Sequence, residues 1–231
     1  MAKKFLIILN PTAGKGKAAG QQAQVEDFFK THKVDYEIAL TKSPGDAINI
    51  ARNYKQDKDT AIIAGGGDGT CNEVANGLLE KSPTPKEAPL FGVLPLGRGN
   101  DFSYSAKTPG ELDKALDVLI NGNTILMDAG KVVGGYFPEG RYFINGIGIG
   151  FDTMVGLEAA KLKNVHSSLT YTIGALKTLI RFAPSPHLEI RFNNKTVKTV
   201  PVQVSLMNGR RMGGIFFMGP YAELNDGLLD I

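Results

Sequence analysis

At 231 residues and 42% apolar content the chain can bury a core of its own, as one large domain or as two small ones with a cleft between them. A single cysteine, Cys71, excludes an internal disulfide framework, and three scattered histidines offer no zinc-ligand spacing, so a reducing cytosol is the default compartment. A net charge of +3 is too small to argue for a nucleic-acid partner, and the apolar run Phe5 to Leu9 is far shorter than a bilayer span or a signal-peptide core, although Lys3 and Lys4 precede it.

In chain order, short β-like runs alternate with helical stretches up to about Ile120, the signature of a parallel sheet with helices on its faces. The expected strands are Phe5 to Leu9, Tyr36 to Leu40, Thr60 to Ala64 and Leu90 to Leu94. Two helix starts are expected from capping chemistry. Ser43-Pro44-Gly45-Asp46 and Thr108-Pro109-Gly110-Glu111 each place a hydroxyl at the N-cap, proline at the first helical position and an acid two residues on. Lys81 to Pro89, with three prolines, reads as an exposed loop.

After Asn121-Gly122-Asn123 the runs lengthen, and a domain boundary is expected there, giving an α/β domain over residues 1–122 and a β-rich, sandwich-like domain over residues 123–231. Expected strands are Thr124 to Val133, Arg141 to Ile149, His187 to Phe192 and Thr196 to Met207. Asn193-Asn194-Lys195 and Asn225-Asp226-Gly227 read as tight turns, since Asn and Gly tolerate positive φ. Ser168 to Phe182 carries Leu169, Ile173, Leu176, Leu179 and Ile180 at helical spacing.

Three glycine loops follow strands of the first half. In Gly65-Gly66-Gly67-Asp68-Gly69-Thr70-Cys71-Asn72-Glu73 the glycines let backbone N–H groups approach a polyphosphate, and the helix that follows adds a partial positive charge, with Thr70 and Glu73 in capping-box spacing. Asp68 beside phosphates is repulsive unless it binds Mg²⁺ or takes a proton from the acceptor. The first loop, Asn10-Pro11-Thr12-Ala13-Gly14-Lys15-Gly16-Lys17, fails as a Walker A loop because Pro11 and Ala18 occupy the positions of the first glycine and of the Ser or Thr. Gly14, Gly16 and Ala19, with Asp35 or Glu37 further on, meet a relaxed dinucleotide fingerprint, but glycines starting beyond the strand end and two lysines in the loop count against NAD. The third loop is Pro95-Leu96-Gly97-Arg98-Gly99-Asn100-Asp101-Phe102, and all three are expected to meet in one crevice at the carboxyl ends of the strands.

These motifs, with Thr41 before Gly45-Asp46-Ala47, and downstream Asn145, Gly150-Phe151-Asp152, Asn208-Gly209, Gly213-Gly214 and Pro220 to Gly227, resemble in order the catalytic domain of bacterial diacylglycerol kinases and the related sphingosine and ceramide kinases. Phosphofructokinases and NAD kinases share only the glycine-aspartate loop. The resemblance implies ATP and Mg²⁺ in the cleft and a lipid hydroxyl as acceptor. By motif position Asn10, Thr41, Gly65, Gly66, Gly67, Asp68, Gly69, Thr70, Cys71, Asn72 and Arg98 would contact the nucleotide, with Asp68 catalytic. It also implies a structural Mg²⁺ on the Asp226 side chain and the carbonyls of Glu223 and Leu228. The family usually has Thr at the position of Arg98, and its general base, a glutamate in a later Asp-Gly-Glu segment, has no counterpart before Ile231, so either the second domain is truncated at its C-terminus or the base is supplied otherwise.

The expected partners are ATP and a lipid at a membrane surface, without nucleic acid, and a homodimer is compatible with this reading. Lys161, Lys163, Lys177 and Arg181, and Arg210 and Arg211 before Ile215-Phe216-Phe217-Met218, are basic-apolar mixtures of the kind that dock peripherally on the inner face of a membrane, against a plainer reading as core residues beside solvated cations. A catalytically silent nucleotide- or lipid-binding regulator of the same fold stays open beside the kinase.

Overall fold

The computed structural model describes residues 4–54, 59–81, 90–151 and 187–231. Four strands, β1 (Lys4–Leu9), β2 (Asp35–Leu40), β3 (Thr60–Gly66) and β4 (Leu90–Pro95), form one parallel sheet in the order β2-β1-β3-β4. The alternation of side chains along a strand sends each strand's apolar residues to both faces, and both are covered. Leu6, Ile8, Ile62, Ala64 and Val93 pack with residues of α2 (Asp46–Asn53) and α3 (Asp68–Leu79). Phe5, Ile7, Leu9, Ala61, Ile63 and Leu94 pack on the other side with residues of α1 (Lys17–Thr31) and α5 (Leu112–Asn121). Ile7, Ile8 and Ile63 are fully buried, and each contributes about 1.5–3 kcal/mol by burial. On α1, Phe29 lies 5.3 Å from the ring centres of both Phe5 and Tyr36, which fixes the helix across β1 and β2. A short α4 (Asp101–Ser105) follows β4.

Helices α2 and α5 begin two and three residues later than their expected caps place them, and by different chemistry. Gly45 (φ 88), not Ser43, is the N-cap of α2, and the Asp46 carboxylate reaches back to accept from the Lys42 amide at 2.6 Å and the Ser43 amide at 2.9 Å. Helix α5 starts at Leu112 with Glu111 as N-cap, three residues beyond Thr108. The Thr70–Glu73 capping box does not form, because α3 already begins at Asp68 and both side chains serve other elements.

Beyond α5 the strands are shorter than the sequence suggests. Only β5 (Gly130–Gly134) forms in the run from Thr124, paired antiparallel with β6 (Phe137–Phe143). The Asp128 amide is instead bonded to Leu224 O at 2.7 Å. The run from Arg141 breaks before β7 (Gly146–Gly150), where Asn145 O accepts the Asn208 and Gly209 amides. The last run divides at Pro201, which has no N–H for a ladder, into β9 (Lys195–Thr199) and β10 (Gln203–Met207). The hairpin between β8 (Leu188–Phe192) and β9 turns through Asn193 (φ 45) and Asn194 (φ 61), as its sequence requires. The expected helix Ser168 to Phe182 and most of the loop Lys81 to Pro89 lie outside the described residues.

By compactness the chain forms one unit of Met1–Gly146 and Met207–Asp230 and a second of Ile147–Leu206 with Ile231. In the first, α3 holds β6 through Asn72 and Asn76. The buried Asn76 amide group donates to Tyr142 O at 2.9 Å and accepts from Tyr142 N at 2.9 Å, so it imitates a neighbouring strand. Asn76→Ala strands the Tyr142 amide, while Tyr142 O keeps the Asn72 side chain at 3.0 Å, at a cost of about 1–2 kcal/mol; a lower urea midpoint with an unchanged slope is the expected result.

Candidate active site

The carboxyl ends of β1, β2, β3 and β4 carry four loops that touch one another, all within the first unit. After β1 the Asn10 amide N–H donates to Gly65 O at 2.8 Å, and the Asn10 side chain donates to Thr70 Oγ1 at 3.2 Å while accepting from Thr12. Gly14, Lys15 and Gly16 then take successive positive φ values of 59°, 63° and 85° before α1 starts, an uncommon backbone for a lysine and one that recurs at functional loops. After β2 the Thr41 amide donates to Leu9 O at 2.9 Å, and the Gly45 amide donates to both carboxylate oxygens of Glu73 at 3.0 Å. The residue that sequence spacing assigns to a cap therefore ties the Thr41 loop to α3.

The glycine-aspartate loop and the third loop approach most closely. A Cβ built on Gly97 would overlap the Gly67 backbone and the Asn100 side chain. Asn100, at φ 51, closes its own loop by accepting from the Gly97 amide at 3.0 Å and donating to Pro95 O at 3.1 Å. This brings two carboxylates together. Asp68 Oδ1 accepts the Phe102 amide at 2.9 Å, and a Cβ placed on Gly99 would lie 3.1 Å from Asp68 Oδ2 and 3.4 Å from Asp101 Oδ2. Both oxygens face the same side of Gly99. Burial, joined by the nearby Asp101 charge, pushes the Asp68 carboxyl above the ordinary aspartate range, and the Phe102 hydrogen bond opposes that only in part.

Asp101 is buried and anchored. The Gly214 amide donates to its two oxygens at 3.0 and 3.1 Å, and Arg211 Nε donates to Oδ1 at 2.9 Å. Among the described residues no three His, Cys, Asp or Glu side chains gather as a ready-made metal cage. Two carboxylates with space between them nonetheless suit Mg²⁺, which takes one or two protein oxygens and completes its shell with water and substrate phosphates.

The other expected contacts divide. Asn10, Thr41, Gly65, Gly66, Gly67, Asp68, Gly69 and Thr70 lie at the meeting loops, and Arg98 sits exposed on the third of them. Cys71 turns inward: its thiol is buried in the core, which pushes it far above its usual range, and its amide is used on Gly67 O at 3.0 Å. Asn72 also faces away, donating to Tyr142 O at 3.0 Å and accepting from Arg141 at 3.2 Å. Far along the chain, Asp226 is exposed and accepts the Leu228 amide at 2.9 Å, with Glu223 and Leu228 exposed beside it. Asp128 Oδ2 accepts the Gly227 amide at 2.7 Å, putting a second carboxylate against that turn. Sequence reasoning assigns no role to Asp128, places Asp101 in the third loop without a task, and reads Arg211 as a membrane-docking or solvated cation, whereas its guanidinium is turned inward onto Asp101. Their partners lie about a hundred positions away.

This arrangement has counterparts. Residues 4–132 match the diacylglycerol kinase catalytic domain, and residues 145–231 match the YegS C-terminal NAD kinase beta sandwich-like domain. The chain is 33% identical over 230 residues to the diacylglycerol kinase of Staphylococcus aureus, covering 98% of this chain and 69% of that protein. It is 34% identical over 227 residues to the “Probable lipid kinase YegS-like” protein of Citrobacter koseri, covering 98% and 72%. The crystal structure of a diacylglycerol kinase from Bacillus anthracis strain Sterne superposes with a TM-score of 0.74 at 28% identity, over 98% of this chain and 71% of that one. The fold is shared with that structure, and on this likeness, the catalytic-domain match and these identities the chain belongs to the diacylglycerol kinase family of lipid kinases.

Proposed function

We propose that this kinase transfers the terminal phosphoryl group of ATP to the hydroxyl of diacylglycerol or a closely related lipid, releasing ADP and the hydroxyl proton, and that Asp68 and Asp101 are the residues that would hold Mg²⁺ for it. The observation that carries this reading is the pair of carboxylate oxygens facing one side of Gly99, inside a ring of loops rich in backbone donors. Carboxylates repel phosphate, so their presence at an anion cradle makes sense when a divalent cation lies between them. Bound there, Mg²⁺ would neutralise charge developing on the phosphoryl oxygens.

The residues of this chain supply position. The Asn10 and Gly65–Thr70 loops and the Thr41 loop would hold the nucleotide, with the exposed Arg98 guanidinium free to meet phosphate oxygens as a fork. The raised proton affinity of Asp68 gives way when a cation arrives, since opposite charge favours the ionised form. Nucleotide handling is assigned to residues 1–122 and lipid binding to residues 123–231, with a structural Mg²⁺ at the Asp226 side chain and the Glu223 and Leu228 carbonyls. An exposed carboxylate with the Asp128 carboxylate against the same turn is chemically suited to that hard cation. Among the described residues no helix is long and apolar enough to cross a membrane, which is consistent with peripheral contact with the lipid surface.

The direct test offers labelled ATP and Mg²⁺ with vesicles carrying diacylglycerol, a sphingoid base or a polyprenol. Label is expected in diacylglycerol first, and ATP binding without transfer to any acceptor would favour a silent regulator instead. Asp68→Asn should reduce turnover about 100-fold or more, by loss of a metal-bound charge in the transition state. The same substitution should raise the melting temperature of the metal-free protein at neutral pH, because it removes a carboxylate whose ionised form is disfavoured there. That gap should narrow as pH falls: wild-type Asp68 takes up its proton above the ordinary aspartate value, and the folded form then binds the proton more tightly than the unfolded chain. Gly99→Ala should leave the fold intact and weaken Mg²⁺ activation about 10-fold or more, by filling the space between the carboxylates.

A further inference from the structure

We propose that Arg211 is the positioning residue of the active site, and that it works by locking the Asp101 carboxylate and the backbone before it into the arrangement that faces Asp68. The proposal rests on the assignment of Asp68 and Asp101 as a metal-bearing pair, and extends it to a residue from the far end of the same unit.

One guanidinium makes all the contacts. Its Nε donates to Asp101 Oδ1 at 2.9 Å, and its Nη2 donates to Gly99 O at 2.9 Å and Asn100 O at 3.3 Å. The group also lies 4.3 Å from the centre of the Tyr104 ring, one turn along α4 from Asp101. Thus Arg211 grips the carboxylate, the two carbonyls leading into it and the helix leading out of it. The arginine is itself held: Asn145 Nδ2 donates to Arg211 O at 2.9 Å. The pair is well shielded, with 18% of the Arg211 side chain and 8% of the Asp101 side chain exposed, so the interaction is not dissolved by solvent screening as a surface ion pair would be.

The geometry separates positioning from simple structural support. Arg211 Nε and the Gly214 amide both occupy Oδ1, which leaves the Gly214 contact as the only hydrogen bond to Oδ2 among the described residues. Oδ2 is the oxygen near Gly99, on the side where Asp68 Oδ2 also lies. Arg211 therefore orients the carboxylate by its rear oxygen and presents the front one. A guanidinium suits this task because it is a flat fork that engages carboxylate and carbonyls at once, whereas a lysine is a point charge that satisfies one of them at a time.

The test compares Arg211→Met, Arg211→Lys, Asp101→Asn and the Arg211→Met/Asp101→Asn double variant, with Mn²⁺ as a paramagnetic probe for the cation in the presence of ATP. Arg211→Met should lower kcat about 30-fold while the KM for ATP moves less than about threefold, and should weaken Mn²⁺ affinity about tenfold, the usual penalty for removing a group that orients a metal-bound carboxylate. The double variant should be no worse than Asp101→Asn alone, since both act on one interaction. Arg211→Lys should recover part of the Mn²⁺ affinity, and it reports on the site if the methionine variant fails to fold. Amide exchange at Gly214 should accelerate about tenfold or more in Arg211→Met as its acceptor loosens.

Wild-type Mn²⁺ affinity together with wild-type Gly214 protection in a folded Arg211→Met protein overturns the proposal, and so does a double variant whose losses multiply. If the wild-type protein phosphorylates no lipid at all, the kinase reading fails on its own account. The exchange and Mn²⁺ measurements then still decide whether Arg211 orients Asp101.

Discussion

The close approach of two backbone segments governs this molecule. Gly67 and Gly97 meet with no side chain between them, and that contact draws the β3 and β4 loops into one surface. A methyl group at Gly97 would part them, and overpacking of this kind costs about 1–3 kcal/mol even where the neighbours yield. From the contact follow the placement of Asn100 as the brace of its own loop, the start of α4 at Asp101, and the meeting of Asp101 with Asp68. A parallel sheet supplies the loops; the glycines decide that they form a site rather than a rim.

The electrostatic consequence is a deliberate imbalance. Asp101 has Arg211 and the Gly214 amide to support its charge, whereas Asp68 has only backbone amides, Phe102's at 2.9 Å foremost, and a like charge beside it. Such an unequal pair is poorly solvated, and stability is given up at the candidate site. The surrounding core is conventional by comparison, with alternate residues of β1 and β3 buried against helices on either face.

Much of this was legible in the sequence because it is local. Strand runs, the glycine loops and the Asn193-Asn194 hairpin each express their chemistry within a few positions, and four strands of the parallel sheet fall within two residues of their expected limits. The helix starts were legible to within two or three residues but not as mechanisms, since spacing cannot reveal that Glu73 would serve Gly45 or that Asp46 would bond backward. The longer β runs of the second half misled for the same reason: Asp128 and Asn145 spend their backbone groups on Leu224 and Asn208, partners far along the chain. Asn72 shows the limit of motif transfer. It sits within the glycine-aspartate motif, yet its side chain is engaged with β6.

The path of the chain through its two units has a bearing on how the protein matures. Residues 147–206 interrupt the first unit, which resumes at Met207 and is joined again by the Met207–Asp230 bridge. Asp101 must wait 110 and 113 positions for Arg211 and Gly214. A nascent polypeptide leaving the ribosome would accordingly complete its parallel sheet while that carboxylate still lacks both partners, and chain closures spanning such separations form late. The cluster around Asp101 is thus among the last parts of the unit to be assembled, since it waits on synthesis as far as Gly214.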